Sequence, residues 1–500
     1  MTTLDDLRSS AEPAQLFLIA WSVAIRLSGN ALSMAKACPD DVKFAVADAL
    51  TQHNGADAVI KCCAALRKIW PEGAAVGIRQ RQAGLLLQLM REIDIAMAHV
   101  HPRSRLLPPY FTRPAAPAWV REAGERRTAY GVYAQTDTHF LVPRGPFARN
   151  ARGRFHEGGF SLPDQFGYLG CGVRRLDHDS GTATVHIHVI DQGIARGVPP
   201  RKRSEGAERV TFVPLAEAST DLVPRLRELD GTAVIDITQG GSFHPLASFT
   251  RAVRDAADSD MLLAPELTIV ASDLDGFAHA LASGPSPRLV VAGSGLMPAR
   301  DHEPPVNEAV MLNALGATLW RHRKVWAYGM NKPTFERLDL GDLPDTQQLM
   351  ENITCGDTFT IADVDGLGRC LVLICQDLMI ASLPALLHSW QPDWVFVPIL
   401  DTGTGIDRWS THRAITLSFE SQGHFLVCSS LTMVHWLKDK SAAPGKEIMA
   451  VAIGPGRTAA ADKGSHAPLA RAEVACESSV MRHGTVEWHG LRGWLVRPAK

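Results

Sequence analysis

Leu371-Val372-Leu373-Ile374-Cys375-Gln376-Asp377 is a run of four large apolar residues that ends on a thiol, an amide and a carboxylate. An apolar run without polar alternation fits a strand buried on both faces, as in layered α/β sheets. A reactive group at the carboxyl end of such a strand sits at the edge of a rigid sheet, where α/β folds place their sites. Two other runs end in the same way. Met261-Leu262-Leu263-Ala264-Pro265 leads to Glu266, and Thr318-Leu319-Trp320-Arg321-His322-Arg323 leads to Lys324. Alternation along the second run puts His322, Lys324 and Trp326 on one strand face.

Outward from these three runs, short apolar strands alternate with helical stretches from residue 208 onward. RVTFVPL, MLLAPEL, PRLVVAGS, RCLVLICQDL, DWVFVPIL and GHFLVCSS read as strands, and SFTRAVRDAADS, DLDGFAHALAS and SLPALLHSW as helices. That alternation predicts an α/β domain over 208–500. Residues 1–100 form a separate helical module, since apolar positions recur at helical spacing in AQLFLIAWSVAIRL and AGLLLQLMREIDIAMAHV. The stretch 101–207 reads as a linker followed by β-leaning sequence. It is Pro- and Arg-rich over 101–130, β-leaning in GVYAQTDTHFLVP and GTATVHIHVIDQG, and Gly- and Arg-rich in the loop 146–158. The polar, Pro-containing segment 196–208 is the expected domain boundary.

The three strand-end residues form a chemical set. A thiolate is a strong nucleophile once a neighbouring group takes the thiol proton, which Glu266 can accept and return to a leaving amine. The Lys324 ammonium and the backbone N–H of Gln376, just after Cys375, can stabilise the oxyanion of a tetrahedral intermediate. Together they describe acyl transfer from an amide through a thioester. Each residue alone has a plain structural reading: a buried core cysteine, a helix-capping glutamate, a lysine snorkelling from a strand. Lys332 competes with Lys324 for the cationic role.

Order and spacing distinguish the two readings. LLAPEL, LWRHRKVW and LICQD, in that order, resemble the landmarks of the nitrilase, or carbon–nitrogen hydrolase, superfamily. PRLVVAGS, NEAVMLNALG and PDWVFVPIL resemble its connecting strands, and Asn307 to Lys324 spans 324 − 307 = 17 residues, as in the family. The resemblance covers about 208–497. It implies an αββα sandwich, a Glu266–Lys324–Cys375 mechanism and a further glutamate on a loop between the Lys and Cys strands. Glu351 matches that position, with 356 − 351 = 5 residues to Gly356 and 375 − 351 = 24 to Cys375; Glu336 is its competitor. The sequence departs from the family at QDLMIASLP after Cys375 and at CSS over 428–430, which bears on substrate more than on reaction type.

Composition narrows the function classes. A net charge of −2 and a pI of about 6.8 give no nucleic-acid footprint, and Arg201-Lys202-Arg203 is a short solvated run. No run of 18 apolar residues appears, so no membrane span is expected. Nine cysteines without C-x-x-C spacing, after an acidic and polar start, predict free thiols in the cytoplasm. His186-x-His188 lacks a third ligand nearby and DTGTGID over 401–407 lacks the lysine of a phosphate-binding loop, so neither a metal nor a cofactor is expected. The expected partner is a small-molecule substrate, a linear amide or carbamoyl compound rather than a nitrile. The expected assembly is the homodimer common in the family. The alternative is a catalytically silent or signal-gated nitrilase-like binding module, with the N-terminal region holding a protein partner.

Overall fold

The computed structural model describes residues 4–27, 29–102, 116–144, 161–178, 181–193, 195, 197–200, 208–213, 215–229, 231–300, 303–340, 348–439, 448–455, 469–475, 484–489 and 493–497. The chain divides into two compact units, Met1–Arg175 with Ser389–Gln391, and Leu176–His388 with Pro392–Lys500. The loop expected at 146–158 and the basic run Arg201-Lys202-Arg203 lie outside the described residues. Among the described residues no helix is long and apolar enough to cross a membrane, and eight cysteines are free thiols.

The first unit is built around helices Pro13–Ala24, Asp40–Gln52, Gly55–Arg67, Val76–Met97 and Ala118–Tyr130. A three-stranded antiparallel sheet, Ala134–Gln135, His139–Pro143 and Leu169–Val173, completes it. Helix Val76–Met97 buries Leu86, Leu89, Met90, Ile93 and Met97, the three- and four-residue spacing that aligns side chains along one helix face. These pack with Phe17, Leu66, Trp119 and Leu141 in one core. The segment expected as a linker over 101–130 is corrected here: its second half is a regular helix. Pro117 sits at the N-cap, where its missing N–H costs nothing, and Gly131 ends the helix at φ 81°, the left-handed conformation glycine adopts without steric cost. Trp119 anchors this helix, burying its indole and donating from Nε1 to the Leu50 carbonyl at 2.9 Å.

Two sheets form the second unit. The first runs in the order Thr318–Arg323, Val306–Asn313, Leu289–Met297, Met261–Leu263, Arg209–Phe212, Gly484–His489, Gly493–Arg497. The second runs Leu469–Ala475, Ile448–Pro455, His424–Ser430, Trp394–Leu400, Gly368–Val372, Thr358–Val364, Gly181–Ile190, Arg175–His178. Leu262, Val290 and Val310 point outward onto Phe249 and Phe277 of helices Pro245–Asp255 and Leu274–Ala282. Their alternates Leu263, Val291 and Met311, equally buried, therefore face the second sheet. In the second sheet Gly368–Val372, Trp394–Leu400 and His424–Ser430 are parallel neighbours. Their crossovers carry helices Leu383–Trp390 and Trp409–Ser421, as parallel pairing requires. The layering is helix, sheet, sheet, helix, the αββα class the sequence predicts.

Two features differ from the sequence reading. The β-leaning stretch placed before the boundary at 208 contributes Gly181–Ile190 to the second sheet, paired in parallel with Thr358–Val364 from Thr184↔Thr358 to Ile190↔Val364. The second unit therefore starts at Leu176 and not at 208. His186 and His188 lie exposed on this strand. An unanticipated third sheet runs in the order Gly329–Asn331, Gln348–Glu351, Thr232–Gln239, Leu222–Leu229. Its strands are mixed in polarity, and Gln348–Glu351 meets Thr232–Gln239 through non-local pairing of Met350 with Val234 and Glu351 with Ile235.

Asp94 is the polar tie of the first unit. Its Oδ1 accepts from the N–H groups of Tyr168 and Leu169 at 2.9 and 2.7 Å, and its Oδ2 from Gly167 at 2.8 Å. Burial pushes its carboxyl above the usual range, against the pull of those three N–H groups. Asp94→Ala leaves three donors without their acceptor, so it is expected to destabilise this unit by about 3 kcal/mol or more. Hydrogen exchange checks this, with protection at 167–169 lost in the variant.

Candidate active site

Lys324 follows the strand Thr318–Arg323 and is buried, 1% exposed. An ammonium removed from water must be paired, since lone burial costs several kcal/mol. Its Nζ donates to Glu266 Oε1 at 2.8 Å and to Glu351 Oε2 at 2.6 Å. Both glutamates come from other segments. Glu266 lies three residues beyond the strand Met261–Leu263 and is 2% exposed. Glu351 is the last residue of the strand Gln348–Glu351 rather than a loop residue, because its strand is completed by non-local pairing in the third sheet. Asn307 binds the two carboxylates together, its Nδ2 donating to Glu266 Oε1 at 2.9 Å and to Glu351 Oε1 at 3.4 Å. The Leu400 N–H, on the facing sheet, donates to Glu266 Oε2 at 2.9 Å.

Cys375 opens a single turn of 3₁₀ helix, Cys375–Met379, three residues beyond the end of the buried strand Gly368–Val372. Its φ is +47°, a left-handed conformation that costs a non-glycine residue about 1–2 kcal/mol. Asp377 holds this turn. Its Oδ2 accepts from the Ile374 N–H at 3.0 Å and lies 3.2 Å from His322 Nε2. Its Oδ1 accepts from the N–H groups of Val325 and Trp326, each at 2.9 Å. One buried carboxylate thus fixes both the turn bearing Cys375 and the backbone just past Lys324. Gln376 sits at the first turn of the 3₁₀ helix, where N–H groups lack intrahelical acceptors.

Glu266, Lys324, Glu351 and Cys375 all line one cavity of about 200 Å³. Ile235, Ile237, Met330 and Trp436 form apolar walls, and Asp401 and Thr402 of the DTGTGID segment contribute a polar side. The described lining includes neither Lys332 nor Glu336. These competitors begin and end the short exposed helix Lys332–Glu336.

The electrostatics follow from burial and pairing. Burial pushes the Glu266 carboxyl up; Lys324 opposes this and Glu351 reinforces it. For Lys324 burial acts downward, but the two carboxylates outweigh it and hold the ammonium well above its usual pKa. Burial pushes the Cys375 thiol well up, Glu266 adds to this, and Lys324 and the Leu400 N–H pull it back. The Tyr328 phenol on the cavity wall is pushed up to about 12 by burial, with the charges of Cys375 and Asp401 adding. The thiol and the Glu266 carboxyl are thus both pushed up by burial, while Lys324 is held between Glu266 and Glu351. Sequence reasoning noted Asp377 only as part of LICQD and did not assign its clamp. The alternation that put His322 on the face of Lys324 was the available signal.

No protein-family model and no curated protein sequence matches the chain. Among solved structures, the chain is similar to Saccharomyces cerevisiae Nit3, a member of branch 10 of the nitrilase superfamily. The identity is 15%, the match covers 58% of this chain and 93% of that one, and the TM-score is 0.36. A mutant of the Nesterenkonia AN1 amidase, from the nitrilase superfamily, matches at 14% identity over 58% of this chain and 92% of its own, with TM-score 0.34. The C. elegans NitFhit protein matches at 11% identity over 55% and 62%, with TM-score 0.35.

A thiol pushed up by burial is expected to be mostly protonated at neutral pH, because its thiolate forms only as the pH approaches the raised value. Iodoacetamide labelling of Cys375, followed by peptide mass spectrometry, should accelerate steadily from pH 7 to pH 9. A rate already flat across that range would mean that the thiolate is the resting form.

Proposed function

We propose that this chain hydrolyses the carbon–nitrogen bond of a small linear amide or carbamoyl compound through a thioester on Cys375. The observation that carries this reading is the Lys324 ammonium, held at 2.8 and 2.6 Å between Glu266 and Glu351 in the wall of the cavity that Cys375 also lines.

The amide carbonyl carbon is attacked by the Cys375 sulfur while the thiol proton passes to Glu266. The oxyanion that forms is met by the Lys324 ammonium and the Gln376 N–H. Collapse of the intermediate breaks the carbon–nitrogen bond, and Glu266 returns its proton to the departing amine or ammonia. Water then attacks the thioester, giving one proton to Glu266, and the acid leaves as the sulfur regains a proton. Glu351 holds Lys324 and orients the amide. Burial pushes the Glu266 carboxyl up, which makes it a better proton acceptor than a free carboxylate. An amide is favoured over a nitrile because amide hydrolysis is the commoner activity in the family that the sequence resembles.

A panel of short-chain amides and carbamoyl compounds, assayed for ammonia release, tests the reading. Cys375→Ala should abolish release. Glu266→Gln keeps the side chain's size and cannot accept the proton, so it should fail as well. Lys324→Ala should lose about 10²–10³ in kcat, the usual effect of removing an oxyanion donor, with thermal melting used to check that it folds. Lys332→Ala should lose far less. Turnover at the parent rate in Cys375→Ala would remove the mechanism.

A further inference from the structure

The cavity is charged unevenly along its depth. Its inner end holds Glu266 and Glu351 against one ammonium, Lys324. Asp401 and Arg408 line it as an ion pair and offset one another. Arg337 also lines it, and this side chain is exposed. Among the described residues no hydrogen bond or ion pair reaches the Arg337 guanidinium.

The Arg337 backbone is fixed from two sides. It caps the helix Lys332–Glu336 with its N–H directed at the Thr334 carbonyl, and its own carbonyl accepts from the Lys438 N–H at 3.0 Å. Leu338 beside it is buried and bridges to Leu437. The guanidinium is therefore a cation at a defined point of the cavity rim with its hydrogen-bonding fork unengaged. Apolar Ile237, Met330 and Leu338 line the same cavity.

We propose that the substrate is an amide or carbamoyl compound bearing an anionic group, in the simplest case a carboxylate, at the end away from the scissile bond, and that Arg337 receives it. This rests on the hydrolase reading above. Charge fixes the direction of entry. An anion at the inner end would face two carboxylates against one ammonium, whereas a neutral amide meets no net repulsion there. The anion is left at the rim, where a planar guanidinium matches a carboxylate with two parallel N–H bonds. A short methylene chain between the two ends covers the apolar wall.

The test compares monoamides of unbranched dicarboxylic acids with simple fatty amides of matched length, over a short series of chain lengths. The readout is the ratio of kcat/KM for each acid–neutral pair. A charge-assisted hydrogen bond is worth about 1.5–3 kcal/mol, so the parent should favour the acid monoamide by about 10–100-fold, mainly through KM. Arg337→Ala should collapse that ratio toward one, Arg337→Lys should keep part of it, and Arg337→Glu should shift preference to an amide with a terminal ammonium. Equal kcat/KM for both members of every pair in the parent, or a ratio unchanged in Arg337→Ala, overturns the proposal and leaves the hydrolase reading standing. Ammonia release from none of the compounds overturns the hydrolase reading and this inference with it.

Discussion

The second unit is organised around the burial of one ammonium. Lys324 has 1% of its surface exposed, and only paired carboxylates make that tolerable. The carboxylates come from Glu266 and Glu351, and Asn307 spans both. Four segments of the chain must therefore arrive together, three of them from the first sheet and one from the third. The Leu400 N–H bonded to Glu266 adds the second sheet to the same point. A register slip in any of these strands would move a charge out of its pairing and leave another buried alone.

Asp377 performs the same service for backbone. A cysteine at φ +47° is a strained position that persists only where its surroundings hold it. Asp377 draws Ile374 on one side and Val325 and Trp326 on the other onto one carboxylate. The turn that presents the sulfur and the backbone beside the ammonium are thereby fixed to each other. His322 lies against the same carboxylate and stacks on Phe359, with ring centroids 5.9 Å apart. The sulfur and the ammonium are thereby held in a fixed relation to each other.

The charged core and the cavity walls have different origins. The ions stand at the ends of strands of the first and third sheets. The walls come from the small third sheet, through Ile235, Ile237 and Met330, and from segments after strands of the second sheet, through Asp401, Thr402 and Trp436. One scaffold can accordingly keep its charged cluster while wall residues vary.

The sequence by itself determined the strands that carry Glu266, Lys324 and Cys375, because buried strands are unbroken apolar runs whose polar ends stand out. Counting along the chain favoured Lys324 over Lys332 and Glu351 over Glu336, and the two favoured residues line one cavity. Other features were decided only by tertiary structure. Gly181–Ile190 alternates polar and apolar residues, as an isolated edge would, and became a sheet member only through Thr358–Val364, far away in sequence. Ala118–Tyr130 followed a Pro- and Arg-rich stretch, and its helix is secured by burying Trp119 among distant residues. The clamp made by Asp377, the place of Arg337 on the cavity lining and the upward shift of the Cys375 thiol share one cause. Each depends on which groups surround a side chain in space and how much water is excluded, and linear spacing carries no record of either.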